Sequence, residues 1–379
     1  THAFSNTDNS DLWAALEEAS GEPVGEIMDT WIFQGGYPAI DVERHGDEMT
    51  LIQRQFRYLG EGDTSWLVPV RYRDEDGEHR ILVADEPATV TVEGDTFVNA
   101  GGEGFYRTAY CTEMYATVRD HFTELDPIER FGVISDANGA LLKGSLGVAD
   151  YLDLIEEVKG ENEKDVWMAA LAGLGELDRV VSSDDQAALR QFVADLVGGV
   201  AGDLGWVAAP EESEATSALR GQMLRALGNL ADDPETIALA REVAASETSD
   251  AEVADAALAI TASHGDRADF DRFIEASNIA PTPQLTIKYL RAAVVVPDPS
   301  VPERVVDMVL NKEIRPQDSF WVLAVLLGTK TNGARAWDVV TDHWDAILDV
   351  LPKGNAYRML DQIQHRTCLL YTSDAADEH

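Results

Sequence analysis

The sequence predicts a multidomain α plus β chain: two helices over 1–38, a small β-sandwich over 39–120, and a HEAT-like α-solenoid over 121–367. Three observations carry that reading. Apolar residues recur with a helical period up to Trp31 and with the two-residue period of a strand from Ile40. The helical period returns after Asp126-Pro127 and then persists. The later helical segments are short and separated by polar breaks, as in stacked helix pairs, although no strict repeat consensus can be written.

In chain order, Asn9 or Ser10 can cap a first helix whose apolar set is Leu12, Trp13 and Leu16, and Ser20-Gly21 breaks it. Pro23 suits the first turn of a second helix, in which Val24, Ile27, Met28 and Trp31 share one face. Gly35-Gly36 ends it. Pro38 forbids continuation and pushes Tyr37 toward extended geometry, after which Ile40 and Val42 point to one side of a strand. Two helices cannot make a core alone, so their apolar faces are expected to pack against chain absent from this sequence, which would then begin in mid-domain.

Trp66, Val68, Val70 and Tyr72 alternate with Leu67, Pro69, Arg71 and Arg73, and Asp76-Gly77 offers a hairpin turn before Ile81 and Val83. Val90 and Val92 alternate again, and Phe97 leads to a Gly101-Gly102 turn. Six or seven short strands are expected. Pro69 cannot donate to a ladder and should lie on an edge strand. Helical faces follow at Tyr151, Leu154, Ile155 and Val158, at Leu189, Phe192, Val193 and Leu196, at Met223, Ala226, Leu227 and Leu230, and at Phe320, Leu323, Ala324 and Leu327. Trp337, Val340, Thr341 and Trp344 read as one more, with both tryptophans in the core. Ser183-x-x-Gln186 reads as a capping box, Asp233-Pro234 as a cap followed by proline, and Gly173-Leu174-Gly175 as a helix-end break.

Composition narrows the function. Lys plus Arg total 29 against 69 Asp plus Glu, a net charge of −40 that repels phosphate backbones and anionic lipid, so nucleic acid is not an expected partner. Solvated helix faces account for the acidity. An apolar content of 45% excludes a disordered chain. No run of about 18 apolar residues is present to span a membrane. Cys111 and Cys368 are too few for a disulfide framework, which is compatible with a reducing compartment and gives the cytoplasm as the expected location.

The junction at Trp31, Gln34, Gly36, Tyr37 and Pro38, with Asp11-Leu12-Trp13 upstream, resembles the end of the catalytic domain in gluzincin-type zinc aminopeptidases, the family of aminopeptidase N and the endoplasmic-reticulum aminopeptidases. Asn99, Gly104-Phe105-Tyr106-Arg107 and Tyr110 resemble that family's sandwich ending. Glu129-Arg130 with Asp136 resembles the opening of its C-terminal helical domain. Gln317-Asp318, Asn332-Gly333, Ala336-Trp337 and Trp344 look like its later landmarks, in the same order. The resemblance implies that 1–38 end a catalytic domain, that the parent binds zinc and removes residues from peptides with a free N-terminus, and that the present domains enclose the peptide cavity. A non-catalytic helical-repeat scaffold of the same architecture is the alternative.

The family's zinc helix carries H-E-x-x-H, with two histidines at i and i+4 and a glutamate base. The eight histidines here include no pair four apart, so no catalytic or metal-ligating residue is assigned in this chain, and the fragment alone is expected to bind no zinc and to be inactive. Arg315 and Asp318 are candidates for the substrate cavity, since an arginine there could pair with a peptide C-terminus; a helix-end ion pair is the plainer reading. Tyr106 and Arg107 could be taken for a substrate anchor, but domain packing suits them better. Asp74-Glu75-Asp76-Gly77 lacks the frame of a calcium loop, and neither G-x-S-x-G nor a Walker motif occurs. The stretch from Cys368 to Glu378 looks like a translated sequencing adapter, so 368–379 are expected to be a non-native tail in which Leu369 and Tyr371 stay unburied.

Overall fold

The computed structural model describes residues 7–246, 250–352 and 354–360. The chain divides into two units, 1–170 and 171–379. In the first, helix α1 (Asn9–Ser20) is capped by Asp8 rather than by Asn9 or Ser10. The Asp8 carboxylate accepts from Asn9 N at 2.7 Å, and Asp8 N donates to Asp11 Oδ2 at 3.0 Å. A carboxylate is favoured at the positive end of a helix over a neutral amide or hydroxyl. Gly21, at φ +75°, closes α1. Helix α2 (Val24–Ile32) stops at Phe33, ahead of Gly35-Gly36. Neither helix buries a residue, and Leu12, Leu16 and Phe33 are exposed.

Seven strands follow: β1 (Pro38–His45), β2 (Glu48–Gln55), β3 (Val68–Asp74), β4 (Gly77–Val83), β5 (Ala88–Thr91), β6 (Phe97–Val98) and β7 (Arg107–Tyr110). One sheet has the order β5-β2-β1-β7, with β1 and β7 parallel, and the other β4-β3-β6. The two-residue period puts Ile40, Val42, Met49 and Leu51 of the first sheet and Val68, Val70, Tyr72 and Val83 of the second into one shared apolar core. Strand β3 is central, contrary to the expectation from Pro69. Strand β6 pairs only with Tyr72 and Arg73, however, so Pro69 faces a ladder on the β4 side alone. Beside it α2 takes the place of a strand: Trp31 Nε1 donates to Leu67 O at 2.9 Å, and Leu67 N donates to Thr30 Oγ1 at 3.1 Å.

Helix α3 (Thr112–Asp120) begins directly after β7, earlier than Asp126-Pro127. It buries only Met114 and Val118, too few apolar positions to register as a period. Helices α4 (Pro127–Lys143) and α5 (Val148–Glu156) come next, the latter burying Tyr151, Leu154 and Ile155. Helix α6 (Lys164–Val180) runs unbroken through Gly173-Leu174-Gly175, where the sequence suggested a stop. Each glycine costs a helix about 1 kcal/mol against alanine, and burial of Leu174 and Leu177 outweighs that.

In the second unit the described elements after α6 are all helices: α7 (Gln186–Leu204), α8 (Glu214–Asn229), α9 (Pro234–Ala244), α10 (Ala251–Ser263), α11 (Arg267–Ile279), α12 (Pro283–Val295), α13 (Val301–Leu310), α14 (Pro316–Leu327), α15 (Gly333–Asp342), α16 (Trp344–Val350) and α17 (Ala356–Met359). Its neighbours include α7 with α8, α8 and α9 with α10, α11 with α12, and α13 with α15. Leu224, Val253 and Ile260 belong to one apolar cluster, and Phe270, Leu290, Val305 and Leu323 to a larger one. Asp233 caps α9 as read, accepting from Thr236 N at 2.8 Å. The Ser183–Gln186 box is not made. Gln186 is the first residue of α7, and its side chain donates instead to Asp178 Oδ1 at 2.9 Å. Trp337 and Trp344 lie on separate helices broken at His343, each half-buried against the larger cluster. The adapter-like stretch, with Cys368, Leu369 and Tyr371, lies outside the described residues.

Candidate functional site

Arg315 precedes α14, whose Pro316 pre-sets the first turn. Its Nε donates to Asp318 Oδ2 at 2.7 Å, across a pair in which Arg315 is half exposed and Asp318 buried. Trp321 Nε1 reaches the other Asp318 oxygen at 3.5 Å, and the Arg291 guanidinium lies 5.4 Å from the Trp321 ring centroid. Asp318 therefore neutralises Arg315 in part while fixing its stem. The exposed guanidinium edge can still meet a carboxylate.

A second constellation joins the sandwich to α4. Glu129, 1% exposed, accepts from Arg73 Nη1 at 2.8 Å and Nη2 at 3.1 Å, from Gly101 N at 2.8 Å and from Asp126 N at 3.1 Å. Burial pushes its carboxyl up, but the Arg73 pair and the two amides outweigh that and hold it below the usual range. Asp136, two turns along the same helix, accepts from Thr108 N at 2.9 Å and from Arg107 Nη1 at 3.4 Å. Here burial wins and pushes the carboxyl up to about 7, against the pull of the Thr108 amide and Arg107.

Arg107 also donates to Ser135 O at 2.6 Å and Tyr37 Oη at 3.2 Å, and its guanidinium lies 4.9 Å from the Phe56 ring centroid. Tyr106 is buried and Phe105 is exposed, so the two do face opposite ways, though ahead of β7 rather than within it. Arg107 thus acts in packing, with every contact inside the joint. The pairing of Arg73 with Glu129 was not read from sequence. Its signal was two acids seven residues apart on a helix face that otherwise buries Val133, Ile134 and Ala137.

The described histidines are dispersed. His79 pairs with Asp74 at 2.8 Å, His121 sits 3.2 Å from both Asp95 and Glu124, and His264 Nε2 meets Gly228 O at 2.7 Å. Among the described residues no group of three or more His, Cys, Asp or Glu is arranged to hold a metal ion. The described residues therefore do not fit a zinc site.

A sequence profile of the ERAP1-like C-terminal domain matches residues 96–377. The chain belongs to that family. The ERAP1-like match takes in Gly101, Arg107, Glu129 and Asp136 of the joint, as well as Arg315 and Asp318. Aminopeptidase M1-A of Oryza sativa subsp. japonica is 28% identical over 92% of this chain and 42% of its own length. Aminopeptidase 2 of Candida albicans is 28% identical over 93% of this chain and 40% of its own. Tricorn protease-interacting factor F2 of Thermoplasma acidophilum is 35% identical over 41% of this chain. The ERAP1-like chain spans about two-fifths of the length of these two aminopeptidases.

Proposed function

We propose that this chain is the C-terminal part of a zinc metallo-aminopeptidase that removes N-terminal residues from peptides. The observation that carries the reading is the ERAP1-like match over 96–377 together with aminopeptidase relatives aligned over more than nine-tenths of the chain. In this reading zinc and the hydrolytic residues belong to the parent protein, and the cytoplasm is its compartment. Residues 1–38 close a catalytic domain, 39–120 form the sandwich, and 121–367 form a HEAT-like solenoid that walls the peptide cavity. The described helices from α4 to α17, many of them packed on near neighbours in sequence, support the solenoid. Arg315, steadied by Asp318, is the candidate contact for a peptide carboxylate.

The test is metal analysis with an aminoacyl reporter assay on the 379-residue chain and on its full-length parent. The chain alone should carry no stoichiometric zinc and cleave nothing, while the parent should bind zinc and cleave the reporter. Hydrolysis by the chain alone would mean that the site has been misplaced. A metal-free, inactive parent would make the protein a helical-repeat scaffold.

A further inference from the structure

Where the turn between β1 and β2 meets the β5–β6 connection and the start of α3, a half-open cavity of about 330 Å³ is lined among others by Arg44, Asp95, Thr96, Glu113, Met114 and Thr117. That is the small end of the range for small-molecule sites. Arg44, half-buried at the end of β1, is held there without an acid. Its Nε donates to Gly46 O at 2.9 Å, and its Nη1 to Gly94 O at 2.7 Å and Thr96 Oγ1 at 3.3 Å. Among the described residues Nη2 has no partner, and no carboxylate comes into ion-pair range of Arg44. In a chain with 69 acidic residues against 29 basic ones, an arginine kept apart from all of them is held for something else. The acids of the same cavity are also unmatched. Glu113 is exposed and its carboxylate has no partner among the described residues, while Asp95 meets His121 at 3.2 Å through one oxygen and leaves the other unengaged.

One cavity thus holds opposite charges too far apart to pair with each other. An inorganic anion drawn to Arg44 would meet two carboxylates, and a metal cation drawn to the carboxylates would meet a guanidinium fixed by two backbone carbonyls. A ligand carrying both charges satisfies both sets at once. We propose that this cavity binds a small zwitterion, a free α-amino acid. Its carboxylate accepts from Arg44 Nη2, its ammonium lies toward Glu113, Asp95 and the Thr117 hydroxyl, and its side chain lies toward Met114, the apolar part of the lining. Free amino acids are also what the proposed aminopeptidase activity releases. The site stands on its lining alone, however, and its failure would leave that activity untouched.

Calorimetric titration of the 379-residue chain tests this, with L-leucine as the probe because Met114 is apolar. L-leucine should fill one saturable site. N-acetyl-L-leucine, which lacks the ammonium, and L-leucinamide, which lacks the carboxylate, should each bind at least about tenfold more weakly. Glu113→Gln, at an exposed position, should weaken L-leucine about tenfold and leave N-acetyl-L-leucine unchanged. Arg44→Gln should weaken L-leucine similarly and leave L-leucinamide unchanged. The dipeptide L-leucyl-L-leucine, whose charges stand further apart, should bind less well than L-leucine. No saturable binding of L-leucine up to about 10 mM, equal binding of either blocked derivative, tighter binding of the dipeptide, or wild-type affinity in Glu113→Gln would each overturn the proposal. If Arg44→Gln fails to fold, the ligand series and Glu113→Gln decide.

Discussion

At the scale of single residues, Glu129 and Asp136 show how one helix face can hold two carboxylates whose titrations oppose each other. Glu129 is held low, so the stability it contributes is present above the unfolded carboxyl range near pH 4.3 and is lost as pH falls through its lower folded value. Asp136 is raised to about 7. The folded state therefore binds its proton more tightly than the unfolded chain, and ionising it costs stability as pH rises from about 4 to about 7. Asp136→Asn keeps an acceptor for the Thr108 amide and removes the titration. Wild type should thus lose on the order of a few kcal/mol relative to Asp136→Asn between pH 4 and pH 8, read from urea unfolding at both pH values. Parallel pH profiles for the two proteins would refute the assignment. Glu129→Gln should behave oppositely, costing roughly 2 kcal/mol at pH 7 because Arg73 loses its charged partner, with a smaller deficit below about pH 3. Arg73 is 35% exposed and can be rehydrated, which keeps that cost below the value for a fully buried pair.

At the scale of elements, close approach decides what a glycine is worth. A Cβ on Gly139 of α4 would come within 2.9 Å of Arg107 Nε and 3.0 Å of its Cζ, whereas one on Gly199 of α7 would meet nothing within 4 Å. Gly199→Ala should therefore stabilise by about 0.5–1 kcal/mol through helix propensity alone. Gly139→Ala should lose that gain and more, about 1 kcal/mol net, because the guanidinium it displaces is tied to Ser135 and Asp136. Thermal unfolding of both variants checks the pair, and equal signs would count against the packing described for α4. Sequence reading succeeded where burial is one-sided: the faces of β3 and α5 are legible because a single period separates core from solvent. It failed where a local signal met a stronger tertiary one. Gly173 and Gly175 do not stop α6, Pro69 does not mark the sheet edge because α2 stands in for a strand, and His343 splits a face that looked continuous. The Arg315–Asp318 pair was legible, being local in sequence. The joint at Glu129 and Asp136 was not, since its partners lie 56 and 28 residues away.

At the scale of the whole molecule, the excess of acid is larger than any pairing can absorb. With 29 basic and 69 acidic residues, one partner for every Lys and Arg still leaves a charge of −40. Part of it is placed usefully: Asp8, Asp126, Asp233, Asp250 and Asp266 cap α1, α4, α9, α10 and α11, where backbone N–H groups and the helix dipole favour negative charge. The remainder lies largely in solvent, where like charges repel and the folded chain holds them closer together than the unfolded one does. Salt screens that repulsion within about 10 Å at 0.1 M and about 3 Å at 1 M. The buried pair of Arg220 with Glu212, respectively 2% and 9% exposed, should feel the same salt far less. Raising NaCl from about 20 mM to about 1 M should therefore raise Tm, by an amount set by relieved repulsion rather than by lost ion pairs. Substituting exposed acids away from the caps by Gln or Asn should raise Tm at low salt and flatten the salt dependence. A Tm that falls with salt would mean that attractive surface pairs outweigh the repulsion, and that the acidic surface stabilises the fold despite its net charge.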